Sequence, residues 1–188
     1  MDTLALKLLA TYLAGVLAVV SPDLKPQRAA SIANDVAAVT LSEERAFDDD
    51  ANGQKTGLLL LSIAYWETGK SWARWIDDGR CNDPVWRETH APWLRGTTGC
   101  DNMKAWSMWQ VHVPDDSVEI GKRLVANRQR AISAALAKVR GSFALGIGLC
   151  SYSGEKSPKC PKAKRRLDTA NEWAVRFPFV ASAELAEK

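Results

Sequence analysis

Residues 58–69 read LLLLSIAYWETG. Four leucines and an isoleucine lead through an aromatic pair straight to Glu67. The run is apolar all round, which is the pattern of a buried helix rather than of an amphipathic surface one. A carboxylate at the end of such a run is either a solvated helix end or an acid held in a dry place for chemistry. The helix alone does not choose. It is expected to span Thr56–Glu67, after a polar loop at DDDANGQK (48–55).

Outward from this helix the pattern stays helical. LALKLLATYLAGVLAVV (4–20) carries Leu9, Leu13, Val16 and Val20 at helical spacing. It holds Lys7, has no positively charged segment before it and no A-x-A-type site after it. A soluble helix is therefore favoured over a signal or an anchor, and no stable membrane span is expected. A turn at SPDLKP (21–26) leads to a helix with Ile32, Val36 and Val39 on one face. Residues 70–104 read as a long irregular region, rich in Trp, Asp, Gly and Pro, and loops of that length are usually functional. AWSMWQVHV (105–113) is a short apolar element. PDDS (114–117) opens one helix through Leu124, Ile132, Leu136 and Val139 that Gly141 stops. SFALGIGLCSYSG (142–154) reads as a short helix into a turn, and PKAKRRLDTANEWAVRF (161–177) as a last amphipathic helix. No alternating pattern is long enough for a sheet, so the fold class is all-α.

The 188 residues suffice for one domain with a sizeable core, and 46% are hydrophobic, which excludes a disordered or fibrous chain. A net charge of +3 favours acidic polymers only weakly. Of eight tryptophans, Trp66, Trp72, Trp75, Trp86, Trp93 and Trp106 fall within residues 66–106. Indole rings suit stacking on sugars or bases, and equally suit a core. The tryptophans and the basic run Lys156, Lys159, Lys162, Lys164, Arg165 and Arg166 are far apart in sequence, which counts against nucleic acid. That run is either a hold on anionic cell wall or a solvated helix face. Cys81, Cys100, Cys150 and Cys160 form two local pairs, so disulfides 81–100 and 150–160 and an oxidising compartment are expected, though three connectivities exist. Cys81, His90, Cys100 and His112 lack the C-x-x-C and H-x(3–5)-H spacings of zinc sites, so no metal is expected.

YWETG, then AWSMWQVH, then LCSYSG, in that order, resembles the lysozyme-like superfamily, with the nearest likeness to soluble lytic transglycosylases and goose-type lysozymes. The resemblance covers roughly residues 56–175. It implies a lysozyme-like single domain (56–177) with the long loop, N-terminal helices (1–47) packed on it and a tail (178–188). It implies that Glu67 is the catalytic acid, with Thr68 where the family has serine. It equates Ser107-Met108-Trp109-Gln110 with a cleft-lining G-L-M-Q-type motif, and Tyr152 with the tyrosine of an A-Y-N-A-G-type motif. Ser107, Met108, Trp109, Gln110, Trp106 and Tyr152 are the expected substrate-binding residues. The motif's glycine is Ser107 here, its leucine and methionine are Met108 and Trp109, and His112 stands where goose-type lysozymes carry an aspartate.

The resemblance implies cleavage of the β-1,4 bond between N-acetylmuramic acid and N-acetylglucosamine in peptidoglycan glycan strands, without a cofactor. An acid against aromatic walls has its charged form disfavoured, which prepares it to protonate a leaving oxygen. A hydrolase further needs a base for water, and Asp77, Asp78, Asp83 and Asp101 are the candidates. Without one, the substrate's own C6 hydroxyl attacks and a 1,6-anhydro sugar results. One well-placed glutamate favours that transglycosylase route. The alternatives are a hydrolytic lysozyme and a non-catalytic glycan-binding or phage structural module. A monomer is expected, in the periplasm, outside the cell or on a virion, since small members of this kind are often phage-encoded or bacterial.

Overall fold

The structure is a computed structural model that describes residues 2–91, 93, 99–114, 117–152, 154 and 160–179. It is largely helical, in agreement with the all-α reading. The chain divides into two compact units, Met1–Ser62 with Leu136–Lys188, and Ile63–Ala135. The first unit is discontinuous: the chain leaves it at residue 62 and returns at 136. A sequence read from neighbour to neighbour carries no mark of such a return. The expected tail, beyond Phe179, lies outside the described residues.

The first unit is built on three N-terminal helices. Helix α1 (Thr3–Val20) starts where the Asp2 side chain accepts from the Leu4 amide (2.9 Å), and α2 (Pro26–Ser42) starts with proline in its first turn. Leu9, Leu13, Val16 and Leu17 are buried from α1, and Ile32, Val36 and Val39 from α2, as their spacing predicts. By length and composition α1 would also cross a membrane, and 22% of it is buried. Helix α3 (Gln54–Glu67) is held at its start by the buried Asp50. Its carboxylate accepts from the Lys55 amide (3.0 Å) and the Thr56 amide (2.8 Å), where the helix dipole favours negative charge. Leu58, Leu59, Leu60 and Leu61 are each at most 1% exposed. Four consecutive residues at about 100° each cover every side of a helix. Burying each leucine contributes about 1.5–3 kcal/mol.

Helix α7 (Arg128–Ala144) contributes Leu136 and Val139 to this core, and α8 (Pro161–Arg176) contributes Ala163 and Trp173. The buried Ser62 hydroxyl donates to the Arg166 carbonyl (2.6 Å). Tyr12 joins three helices: its hydroxyl donates to the Phe177 carbonyl (2.7 Å) and accepts from Gln54 Nε2 (2.8 Å). Cys150–Cys160 ties the turn after α7 to the start of α8, as expected. Of the basic run, Arg166 is buried, Lys164 pairs with Asp168 (2.5 Å), Lys162 and Arg165 are exposed, and Lys156 and Lys159 lie outside the described residues.

The second unit departs most from expectation. The region read as irregular holds α4 (Arg74–Asp77), a 3-10 turn (Arg80–Asn82) and α5 (Pro84–His90). Asp83 caps α5, accepting from the Val85 (2.9 Å) and Trp86 (3.1 Å) amides ahead of Pro84, a start signal short enough to pass for loop chemistry. The apolar element at 105–113 is a hairpin, β1 (Ala105–Trp106) against β2 (Val111–His112). The single helix expected after it is two, α6 (Val118–Val125) and α7. Asn127 interrupts it, its side chain accepting from the Arg130 amide (3.3 Å) as a new cap. Gly141 does not stop α7. The helix runs on to Ala144 and ends before Gly146, whose φ of +71° suits glycine.

The Cys81–Cys100 disulfide closes a 19-residue separation, stabilising by roughly 3 kcal/mol through the unfolded chain. Asn82 beside it donates to the Ala105 carbonyl (2.9 Å) and accepts from the Cys100 amide (2.8 Å). The Trp106 ring lies against two glycines. A Cβ at Gly79 would meet it at 3.1 Å, and one at Gly121 at 2.0 Å.

Two outcomes follow from this packing. Gly121→Ala drives a methyl into the Trp106 ring and lowers stability by about 1–3 kcal/mol in urea unfolding, whereas an ordinary helical Gly→Ala stabilises. Burial raises the Tyr12 phenol above its ordinary value of 10.0. The neutral phenol's contribution is therefore intact below pH 10 and lost as pH rises through the raised value. Tyr12→Phe should flatten the alkaline slope of stability measured from pH 9 upward, and an unchanged slope would refute the assignment.

Candidate active site

Glu67 is the last residue of α3 and is half-buried. The chain turns sharply beyond it. The Gly69 amide donates to the Trp66 carbonyl (3.2 Å) and the Lys70 amide to the Tyr65 carbonyl (2.7 Å), a Schellman closure with Gly69 at φ +60°. The buried Thr68 hydroxyl donates to the Ala64 carbonyl (2.8 Å) and accepts from the Trp72 amide (3.1 Å). Rings gather on this helix end. Tyr65 packs edge-on to Trp66 (centroids 5.6 Å apart) and 6.1 Å from the buried Trp72, and Lys70 Nζ lies 4.5 Å from the Trp66 centroid.

The four loop aspartates all have structural partners. Asp77, with a side chain only 10% exposed, takes Arg128 Nη2 at 3.1 Å and Nε at 3.3 Å. Asp78 pairs with Arg80 Nε at 2.9 Å. Asp83 is the α5 cap. Asp101 pairs with His112 Nε2 at 3.0 Å, both side chains about half exposed. His112 is thus an exposed residue beside a carboxylate. Its place next to a hairpin turn brings it back to Asp101, a closure invisible before the hairpin is known. The sulfurs of Cys81 and Cys100 are joined to each other, so they do not serve the zinc site weighed from the sequence.

Ser107–Gln110 form the hairpin turn. Met108 and Trp109 are 0% exposed and Trp106 is 4% exposed. These three side chains, expected to line a cleft, are core: a two-residue strand pair closes only if its turn is pinned by buried bulk. Ser107 has φ +64°, a conformation that favours glycine, and its hydroxyl accepts from the Trp109 amide (3.2 Å). Gln110 is half-buried at φ +46°, and its Nε2 donates to the Ser107 carbonyl (2.9 Å). Among the described residues no donor reaches its Oε1. Tyr152 belongs to the other unit, half-buried in the turn beside Cys150.

Two features escaped the sequence reading. Trp75, Trp86 and His90 stack, with centroids 6.0 Å and 5.5 Å apart and planes within 22° and 4°. The buried Trp86 Nε1 has no acceptor among the described residues. The four-residue spacing of Trp86 and His90 would have placed them on one face, had α5 been recognised. Second, every described non-glycine residue at positive φ lies in this unit: Lys70 and Trp72 just past Glu67, then Asp101, Asn102, Met103, Ser107 and Gln110. Such residues cost on the order of 1–3 kcal/mol each and gather at functional sites. Comparison of the chain with protein-family models, with curated proteins and with solved structures finds no match.

The turn makes a separable prediction. Ser107→Gly trades one hydrogen bond for relief of left-handed strain and should leave the unfolding midpoint within about 1 kcal/mol of wild type. Ser107→Ala keeps the strain and loses the bond, and should cost about 1 kcal/mol more than Ser107→Gly. The reverse order would show that the turn is not held as described.

Proposed function

We propose that this chain cleaves the β-1,4 bond between N-acetylmuramic acid and N-acetylglucosamine in peptidoglycan, with Glu67 as the one acid/base, by transglycosylation. The observation that carries the reading is the place of Glu67, at the end of the most buried helix and beside the rings of its closing turn. The aspartates weighed as a second carboxylate serve the fold: Asp83 caps α5, and Asp77, Asp78 and Asp101 form ion pairs. Chemistry that needs a single carboxylate suits this set better than chemistry that needs two.

In the proposed route the Glu67 carboxyl protonates the glycosidic oxygen as the bond to C1 breaks. The resulting carboxylate then takes the proton of the muramic C6 hydroxyl as that oxygen closes on C1. The 1,6-anhydro ring forms, Glu67 regains its proton, and no water or cofactor enters. Gln110 Oε1 is assigned to a sugar hydroxyl or amide donor, and the resemblance gives Tyr152 a substrate-binding role. The left-handed Ser107 supports the likeness to the G-L-M-Q-type motif, whose glycine stands where this backbone favours one. The Trp75–Trp86–His90 stack is of the kind that sugar rings pack against. Two disulfides fit a wall-facing, oxidising compartment. One observation favours hydrolysis instead: Asp101 orients His112, which stands where goose-type lysozymes carry an aspartate, and such a pair suits a water-activating base.

Mass spectrometry of digested peptidoglycan tests these readings. The expected products are anhydro-muropeptides, lost by about 10²–10⁴-fold or more in Glu67→Gln. Hydrated reducing ends, abolished in His112→Ala, would replace transglycosylation with hydrolysis. No product from wild type on walls of several hosts would refute the enzyme and leave a glycan-binding or structural module.

A further inference from the structure

The first unit has a cleft of about 840 Å³ between the loop before α3 and the C-terminal part of α7. That volume is in the range of small-molecule sites. Its apolar lining is Phe47 and Phe143, both half-buried, with ring centroids 5.4 Å apart. Its charged lining falls into two classes. Glu44 is paired with Arg140 and Asp49 with Lys55. Among the described residues Arg45 and Asp48 have no ion-pair partner, nor do they pair with each other, although three residues apart in one loop. Arg45 is half-buried, and its Nε is shielded from solvent with no acceptor among the described residues.

A guanidinium Nε–H shielded from water without an acceptor carries a cost, and the groups best matched to the guanidinium fork are carboxylate and phosphate. The unpaired Asp48 on the same cleft argues against phosphate, whose charge it would repel, and for a ligand that also carries a cation. The two phenyl rings ask for apolar bulk between those charges. We propose that this cleft binds a short apolar peptide as a zwitterion, its terminal carboxylate on Arg45, its terminal ammonium on Asp48 and an aliphatic side chain against Phe47 and Phe143. This stands apart from the glycan reading, since no residue of the cleft takes part in the Glu67 chemistry.

Gly141 supplies a clean control. It lines the cleft from within α7, and a Cβ there would meet nothing within 4 Å. Gly141→Leu is therefore expected to keep the helix and fill the cleft.

The test is calorimetric titration of the whole chain with the tripeptide Ala-Leu-Ala, its N-acetylated form and its C-terminal amide. Binding of the free tripeptide is expected, weakened about 10-fold or more by either blocking group, by Arg45→Met and by Asp48→Asn, and abolished by Gly141→Leu. Unfolding midpoints near wild type verify that the variants are folded, and among the described residues the Arg45 side chain has no hydrogen bond to lose. No binding up to about 10 mM would overturn the proposal, as would undiminished binding by Arg45→Met or by Gly141→Leu. Retained affinity for the acetylated peptide alone would overturn the zwitterion and leave a carboxylate site. Activity on glycan strands plays no part in the readout, so this proposal and the glycosidase reading fail separately.

Discussion

The packing of the first unit depends on the burial of α3. Four consecutive leucines at Leu58–Leu61 leave the helix no solvent face, so it is held from all sides rather than along one stripe. Asp50 fixes its start by taking two of its first amides, and the Schellman turn at Gly69 fixes its end. A helix pinned at both termini and packed all round cannot slide or rotate without emptying its core contacts. In the proposed chemistry the residue at its end, Glu67, transfers protons, and such a group needs positioning within a fraction of an ångström.

The second unit is held by different means. Its elements are short, and few are long enough to be stable by propensity alone. Cross-links do the holding: the Cys81–Cys100 disulfide, the two bonds of Asn82, the Arg128–Asp77 pair and the Trp106 ring pressed on Gly79 and Gly121. These fastenings let the backbone keep seven of the described non-glycine residues in left-handed conformations. The strain sits on both segments that the proposed chemistry uses, the turn after Glu67 and the hairpin of Gln110. The first unit, with its long helices and aliphatic core, has no such residue among those described.

The aspartates show how partnership redefines a candidate. In the sequence, Asp77, Asp78, Asp83 and Asp101 are interchangeable as possible bases. In the fold, one is half of a largely buried ion pair, one caps a helix, one bridges to a near neighbour and one faces a histidine. Only the last, through His112, retains a route to proton transfer. The same logic sets Arg45 apart from the other cleft arginine. Arg140 has Glu44, while Arg45 is defined by what it lacks.

The amino-acid sequence by itself determined the helical class, the burial of 58–64 and the faces of α1 and α2, and it favoured the two local disulfide pairs without excluding the other connectivities. Each of these is a local matter: periodicity along one helix, or cysteines close enough in the chain to find each other. It also marked Glu67, because a carboxylate closing an apolar run is visible without a fold. It did not reveal the discontinuous first unit, the hairpin at 105–112, the break at Asn127 or the core role of Met108 and Trp109. Nor did it separate paired aspartates from unpaired charges. Those depend on which segments meet, and meeting is decided by the summed burial of distant side chains. A tryptophan has the same apolar face whether it awaits a sugar or a neighbour, and only the tertiary structure decided which of them found a neighbour.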